Sequence, residues 1–233
     1  MIFRQLFEPQ SSAYTYLIAC GGSEEAILID PVLETVERDL RLIAELGLTL
    51  RYTVETHIHA DHVTGASKLR GLTGCKCALP EKSGAARVDV PVREGEPIRC
   101  GGLNLQPLYT PGHTDDHHSY FLESDGMLRV FTGDALLIDG CGRTDFQNGD
   151  AATLYRSVHE KIFTLPGDTL VYPGHDYQRR HVSTVAQEYE RNPRLGSGRS
   201  VDEFVQIMAG LNLPPPKKMD IAVPANRECG QVH

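Results

Sequence analysis

Hydrophobic and polar positions alternate over the first thirty residues. Ile2–Phe7, Tyr14–Cys20 and Ala26–Asp30 are short β-rich runs, with Gly21-Gly22-Ser23 marking a hairpin between the last two. The period then changes. Glu34–Leu46 carries Val36, Leu40, Ile43 and Leu46 at helical spacing and stops at Gly47. Leu50–Glu55 returns to strand and Val63–Leu72 to helix. Further strands are predicted at Lys76–Leu79, Leu103–Tyr109, Ser119–Leu122, Leu128–Thr132 and Thr169–Tyr172. Ala151–Phe163, Val182–Glu190 and Val201–Leu211 read as helices, and Pro214-Pro215-Pro216 as a turn or tail boundary. Strands beside helices throughout predict an α/β sandwich in one unit. Residues 1–233 are expected to form one domain, with 178–233 a C-terminal helical extension of it.

The 233 residues are 40% hydrophobic and 23% charged, enough apolar material for a full core. Lys and Arg number 23 against 31 Asp and Glu, a net charge of −8. That balance supplies no basic stripe for phosphate, so a nucleic-acid partner is not expected. No apolar run approaches the roughly 20 residues that cross a bilayer, and Met1–Leu6 does not read as a signal peptide. The expectation is a soluble, cytoplasmic protein with no membrane partner. A homodimer joined through an exposed apolar patch is compatible with such a domain, but no sequence pattern marks the patch. The six cysteines fit neither a disulfide scaffold nor a CxxC knuckle. Cys75 and Cys77 read as one face of a strand, and Cys141 as a structural thiol.

Ten histidines are present, and their positions change the picture. Thr56-His57-Ile58-His59-Ala60-Asp61-His62 follows directly on the run Leu50–Glu55. Residues two apart on an extended chain point the same way, so His57 and His59 can converge. Three imidazoles and a carboxylate in so short a stretch point to a metal, whose binding offsets their desolvation. The alternative is a polar, solvated loop. Thr110-Pro111-Gly112-His113-Thr114, Phe131-Thr132-Gly133-Asp134 and Val171-Tyr172-Pro173-Gly174-His175 repeat one pattern. Each is an apolar strand, then a glycine that lets the backbone turn, then a metal-type ligand.

This set resembles the metallo-β-lactamase superfamily: His57-x-His59-x-Asp61-His62, His113, Asp134 and His175 stand in the family's order. The resemblance implies an αββα sandwich with the metal site on one edge, and gives Asp30 a supporting place under the first motif. Within the superfamily, Ile29–Thr35, Gly133–Ile138, Gly140–Gln147, His175-Asp176-Tyr177, Phe204–Pro214 and Ala222–Asn226 are similar to the persulfide dioxygenases. Some members of that family carry a rhodanese domain after this one; the single-domain form is expected here. The resemblance implies oxidation of glutathione persulfide by O2 to sulfite and glutathione. It implies one Fe(2+) per chain on His57, His113 and Asp134, a two-His-one-carboxylate triad that leaves octahedral positions open.

On the same resemblance His59, Asp61, His62 and His175 surround and orient the ligands without holding a second metal. Arg143 and Tyr177 help form the glutathione pocket, although Arg143 reads equally well as an ion pair with Asp145. No separate general base is implied. One departure stands out: where the superfamily often has PGHTxG, this chain has Thr114-Asp115-Asp116-His117-His118 after Pro111-Gly112-His113. His117 and His118 read as solvated or locally hydrogen-bonded rather than ligating. The main alternative function is a glyoxalase II-type hydroxyacylglutathione hydrolase, which would use the full motif set for two metals bridged by Asp134. A metal-binding module without catalysis is a third reading.

Overall fold

Alternation places one set of side chains of each strand between two sheets and the other set under helices. The computed structural model describes residues 1–216 and 218–231. Its first sheet has six strands in sequence order: β1 (Ile2–Glu8), β2 (Ala13–Ala19), β3 (Glu25–Ile29), β4 (Thr49–Val54), β5 (Lys76–Pro80) and β6 (Val90–Val92). β1 to β3 form an antiparallel meander, and β3 to β6 run parallel. The parallel crossovers carry α1 (Val36–Glu45) and α2 (Ala66–Thr73).

The second sheet holds β7 (Ile98–Cys100), β8 (Leu103–Tyr109), β9 (His118–Ser124), β10 (Met127–Gly133), β11 (Leu170–Pro173) and β12 (Ser183–Thr184). Its helices are α3 (Ala151–Ser157), α4 (Val185–Arg191) and α5 (Val201–Ala209). A last helix, α6 (Met219–Arg227), follows. Tyr16, Ile18, Ile27 and Ile29 of the first sheet meet Leu105, Tyr120, Leu122 and Phe131 of the second in a common core. Leu17, Ala19 and Leu28 face the other way, onto Val36 and Ile43 of α1 and Leu69 of α2. Val130 and Val171 pack under Leu154, Phe204 and Met208 of α3 and α5. The architecture is the expected αββα sandwich.

Several predicted elements shift at their ends for identifiable reasons. The helix expected from Val63 begins only at Ala66, because Val63 and Thr64 bond sideways to Leu33 and Asn226. The helix expected from Val182 starts at Val185: Ser183 and Thr184 pair with β11, and the Thr184 hydroxyl then accepts from the Gln187 amide as a cap. The Ala151–Phe163 helix widens to a π-turn over Val158–Ile162. β6 and β7, three residues each, were too short for a period to register. α6 was missed because Pro224 lies inside it and leaves one carbonyl without a helical donor. Of the segment 178–233, Lys217, Val232 and His233 lie outside the described residues.

Candidate metal centre

The site is assembled from strand ends on one edge of the sandwich. β3 ends beside Asp30, β4 leads toward His57–His62, β10 ends beside Asp134 and β11 ends just before His175. The loop after β8 carries His113. Asp134 and His175 are neighbours because β10 and β11 are parallel, and the Gly174 amide donates to the Gly133 carbonyl at 2.7 Å. Two glycines allow the close packing here. Gly112 has φ +132°, and a Cβ on it would fall 2.4 Å from the Leu154 Cα. A Cβ on Gly142 would fall 2.7 Å from His113 Nδ1.

His57, His113 and Asp134 offer ligand atoms that all lie within 4.8 Å of one another. Their surroundings set which atoms are offered. Asp30, in the left-handed region at φ +49°, folds its carboxylate back onto the Thr56 amide (2.7 Å) and hydroxyl (2.9 Å). The Thr56 hydroxyl proton is thus committed to Asp30, so His57 Nδ1, 2.9 Å from that oxygen, must donate to it. Nε2 of His57 is left with its lone pair. His113 Nδ1 lies 2.6 Å from the Arg143 carbonyl, which can only accept, so Nδ1 carries a proton and Nε2 is the atom left for a ligand. That Nε2 is 3.6 Å from Asp134 Oδ2. Burial pushes the His57 pKa well down, reinforced by the imidazoles of His59, His113 and His117. Burial alone would raise the Asp134 pKa, but His175 and His113 hold it well below the usual carboxylate range.

Two imidazoles that each leave Nε2 for a ligand and an ionised carboxylate, gathered at one point, are a donor set that fits a divalent transition metal. Beside them, His62 Nε2 and His59 Nδ1 are buried polar atoms with no hydrogen-bond partner among the described residues. The other motif residues are engaged with one another. His175 places Nδ1 2.7 Å from Asp134 Oδ1 and Nε2 2.9 Å from Asp61 Oδ2. Burial opposes its charge, yet these two carboxylates raise its pKa well above the ordinary value. His62 Nδ1 is 2.9 Å from Asp61. His59 turns Nε2 onto Asp30 (3.1 Å) and Glu55 (3.3 Å), two carboxylates that outweigh the effect of burial and raise its pKa. His59 groups with Asp61 and His62, or with Asp30 and Glu55, rather than with the triad.

The acidic and histidine-rich stretch after His113 is not solvated except at Asp115. Asp116 is buried and accepts from the Ile58 amide at 2.9 Å. His117 is buried, with Nδ1 3.0 Å from the Thr110 hydroxyl and Nε2 accepting from the Asp134 amide at 3.1 Å. His118 is buried too, its Nδ1 2.9 Å from the Asp116 carbonyl. Both histidines are therefore locally hydrogen-bonded, and the solvated alternative is corrected: they build the floor under the site.

A cavity of about 580 Å³ opens over Asp61, His113, Asp134 and His175. Arg143 and Tyr177 both line it. Tyr177 stands exposed at the mouth, its ring stacked 6.3 Å from that of His175. The Arg143 guanidinium grips Asp145 through two bonds (2.7 and 2.8 Å) and donates to the carbonyls of Pro214 (2.6 Å) and Leu213 (3.2 Å). Arg180 is similarly taken up by Asp139 and Asp176. Arg194, which sequence reasoning did not single out, also lines the cavity. Only its Nη1 is bonded among the described residues, to the Cys141 carbonyl at 2.9 Å. Cys141 itself is buried against Met208, and burial pushes its thiol up to about 11. Glu55, Asn226 and Gln147, which donates to the Ile58 carbonyl, were likewise not foreseen as parts of the site.

The family model for the metallo-β-lactamase superfamily matches residues 9–175. Persulfide dioxygenase ETHE1 of Mus musculus is 54% identical over 231 residues, spanning 99% of this chain and 89% of the relative. The chain belongs to the persulfide dioxygenase family. The crystal structure of ETHE1 from Myxococcus xanthus superposes with a TM-score of 0.95 at 55% identity, covering 99% of this chain and all of that one. A hydroxyacylglutathione hydrolase of Rhodopseudomonas palustris is more distant, 38% identical over 87% of this chain and 77% of its own. The chain is thus an enzyme of the dioxygenase branch rather than of the hydrolase branch.

Proposed function

We propose that the protein oxidises glutathione persulfide with O2 at one Fe(2+) held by His57, His113 and Asp134. The overall reaction balances as GSSH + O2 + H2O → GSH + SO3²⁻ + 2 H⁺. The observation that carries this reading is the triad in a chain of this family: His57, His113 and Asp134 offer ligand atoms within 4.8 Å of one another, and the chain is 54% identical to a persulfide dioxygenase over 99% of its length. Ferrous iron, when bound, supplies the one-electron chemistry that lets O2 react with an anionic sulfur.

The chain's own residues position the substrate. Arg194 lines the cavity, has guanidinium nitrogens without bonding partners among the described residues, and is suited to a glutathione carboxylate. Tyr177 offers a ring face and a hydroxyl at the mouth. Arg143 braces the wall through Asp145 and the tail carbonyls. Six free thiols suit a reducing compartment, and the cytoplasm is the proposed location. The test is metal analysis of protein purified anaerobically without added zinc, with oxygen uptake on glutathione persulfide and thioester cleavage measured on the same sample. About one iron per chain and persulfide-dependent uptake are expected. Two tightly held ions with thioester cleavage and no oxygen uptake would overturn the proposal.

A further inference from the structure

The C-terminal helix closes back on the metal loop through one side chain. Asn226 of α6 is 1% exposed. Its Nδ2 donates to the carbonyls of His59 and His62, both at 2.9 Å, and its Oδ1 accepts from the Thr64 amide at 2.8 Å. Both donors and the acceptor of the carboxamide are therefore spent on one six-residue stretch of backbone. That stretch begins two residues after His57 and carries His59, Asp61 and His62. Apart from a single bridge between Thr64 and Val32 it lies outside the sheets, and among the described residues the His59 and His62 carbonyls depend on Asn226.

The docking around Asn226 is close. The Ser67 amide donates to the Cys229 carbonyl at 2.9 Å and the Ala86 amide to the Arg227 carbonyl at 2.7 Å. A Cβ on Gly230, which has φ +83°, would fall 2.2 Å from the Thr64 carbonyl oxygen. On the opposite side, the Thr64 hydroxyl donates to Glu55 at 2.5 Å. The loop is held between Glu55, just past the end of β4, and Asn226 from α6. Upstream of that helix, Leu213 and Pro214 take the Arg143 guanidinium, and the Arg143 carbonyl takes His113 Nδ1. The tail thus reaches the centre by two routes, the His59–Thr64 backbone through Asn226 and the triad residue His113 through Arg143.

We propose that Asn226 is a positioning residue for the metal centre: it fixes the backbone of residues 59–64 so that metal affinity depends on the docking of α6. The inference rests on the reading of the site as a metal centre, but not on which metal or which reaction. A merely structural asparagine would stabilise the fold and leave the folded protein's metal affinity alone. A positioning asparagine couples two sites, and such coupling is reciprocal: whatever factor docking lends to the metal, the metal lends to docking.

The experiment uses the full chain and Co²⁺ as the probe, titrated by its visible absorption. Asn226→Ala, assayed below its unfolding temperature, is expected to bind Co²⁺ about 10–100-fold more weakly, the range seen when groups supporting a ligand are removed. Its Co²⁺ spectrum should shift as the loop relaxes. Hydrogen exchange on the unaltered protein supplies the second arm and needs no variant. Co²⁺ should slow exchange of the amides of 219–230 as well as those of 56–64. A folded Asn226→Ala with unchanged affinity and spectrum would overturn the positioning role alone, as would protection confined to 56–64. A wild-type chain that takes up no Co²⁺ would overturn the metal-centre reading and this inference with it.

Discussion

The floor of the site and the wall of its cavity are built differently. The floor is His57–His62, Asp116–Ser119, Asp134 and His175, nearly all buried and delivered from strand ends, with most of its polar atoms on fixed partners. The wall is Leu137–Arg143, Tyr177, Arg194 and Leu213–Pro216, loop and tail residues many of which are half or fully open to water. Burial makes each floor bond strong and each loss costly, because an unpaired partner is stranded away from solvent. Water can replace most of what the wall loses. Failures in the floor should be close to all-or-none, and failures in the wall graded.

The hardest break is Asp134→Ala. It removes the only carboxylate of the triad and leaves His175 with a single anionic partner, so metal content and oxygen uptake should both fall to background. Metal analysis together with an oxygen electrode checks this. A variant that keeps its iron would show that another carboxylate, such as Asp61, can serve in its place. His175→Ala sharpens the comparison within the floor. His175 steadies Asp134 Oδ1 and Asp61 without belonging to the triad. The variant should keep about one iron and lose roughly 10–100-fold in turnover. Loss of metal in parallel with activity would move His175 into the ligand set and favour the hydrolase reading.

Arg194→Ala carries the test to the wall. A charge-assisted bond to a substrate carboxylate is worth on the order of 1.5–3 kcal/mol, so apparent KM should rise about 10–100-fold with iron content unchanged. Steady-state kinetics at saturating oxygen read this directly. An unchanged KM would leave Arg194 as a brace for the Cys141 carbonyl only.

The same division explains what the sequence could show. The floor was legible because its residues cluster at strand ends, where a period of two meets a glycine and then a ligand type. Asp30 was placed by its resemblance to a family position, and its bonds to Thr56 and His59 supply the physical reason for that place. The fold was legible for a similar reason, since Tyr16, Ile18 and Leu17, Ala19 already divide the two faces of β2. The rest depends on partners far apart in the chain. Asn226 and Thr64 are 162 residues apart, Asn226 and His59 167, and no spacing rule links them. For His117 and His118 the polar run Asp115–His118 left solvation and local hydrogen bonding both open, and entry into β9 decides for the second by carrying them inside. Arg194 gave no signal because its loop acquires meaning only where it meets Cys141.

The smallest effect is expected from Arg143→Ala, and it separates the two cations of the wall. Four bonds already hold the Arg143 guanidinium, two to Asp145 and one each to the carbonyls of Leu213 and Pro214. Asp145 is more than half exposed, and surface pairs of this kind contribute about 0–1 kcal/mol. Removing the side chain frees the tail carbonyls to bond water, so the fold should tolerate it. The wall would loosen where the tail crosses the cavity, and apparent KM should rise by less than in Arg194→Ala, with kcat and iron content held. If Arg143→Ala raises KM more than Arg194→Ala does, the substrate carboxylate is bound at Arg143, and the Asp145 pair is a resting partner that glutathione displaces. If both variants raise KM and the double variant multiplies the two factors, the arginines act independently, one on the substrate and one on the wall that shapes its seat.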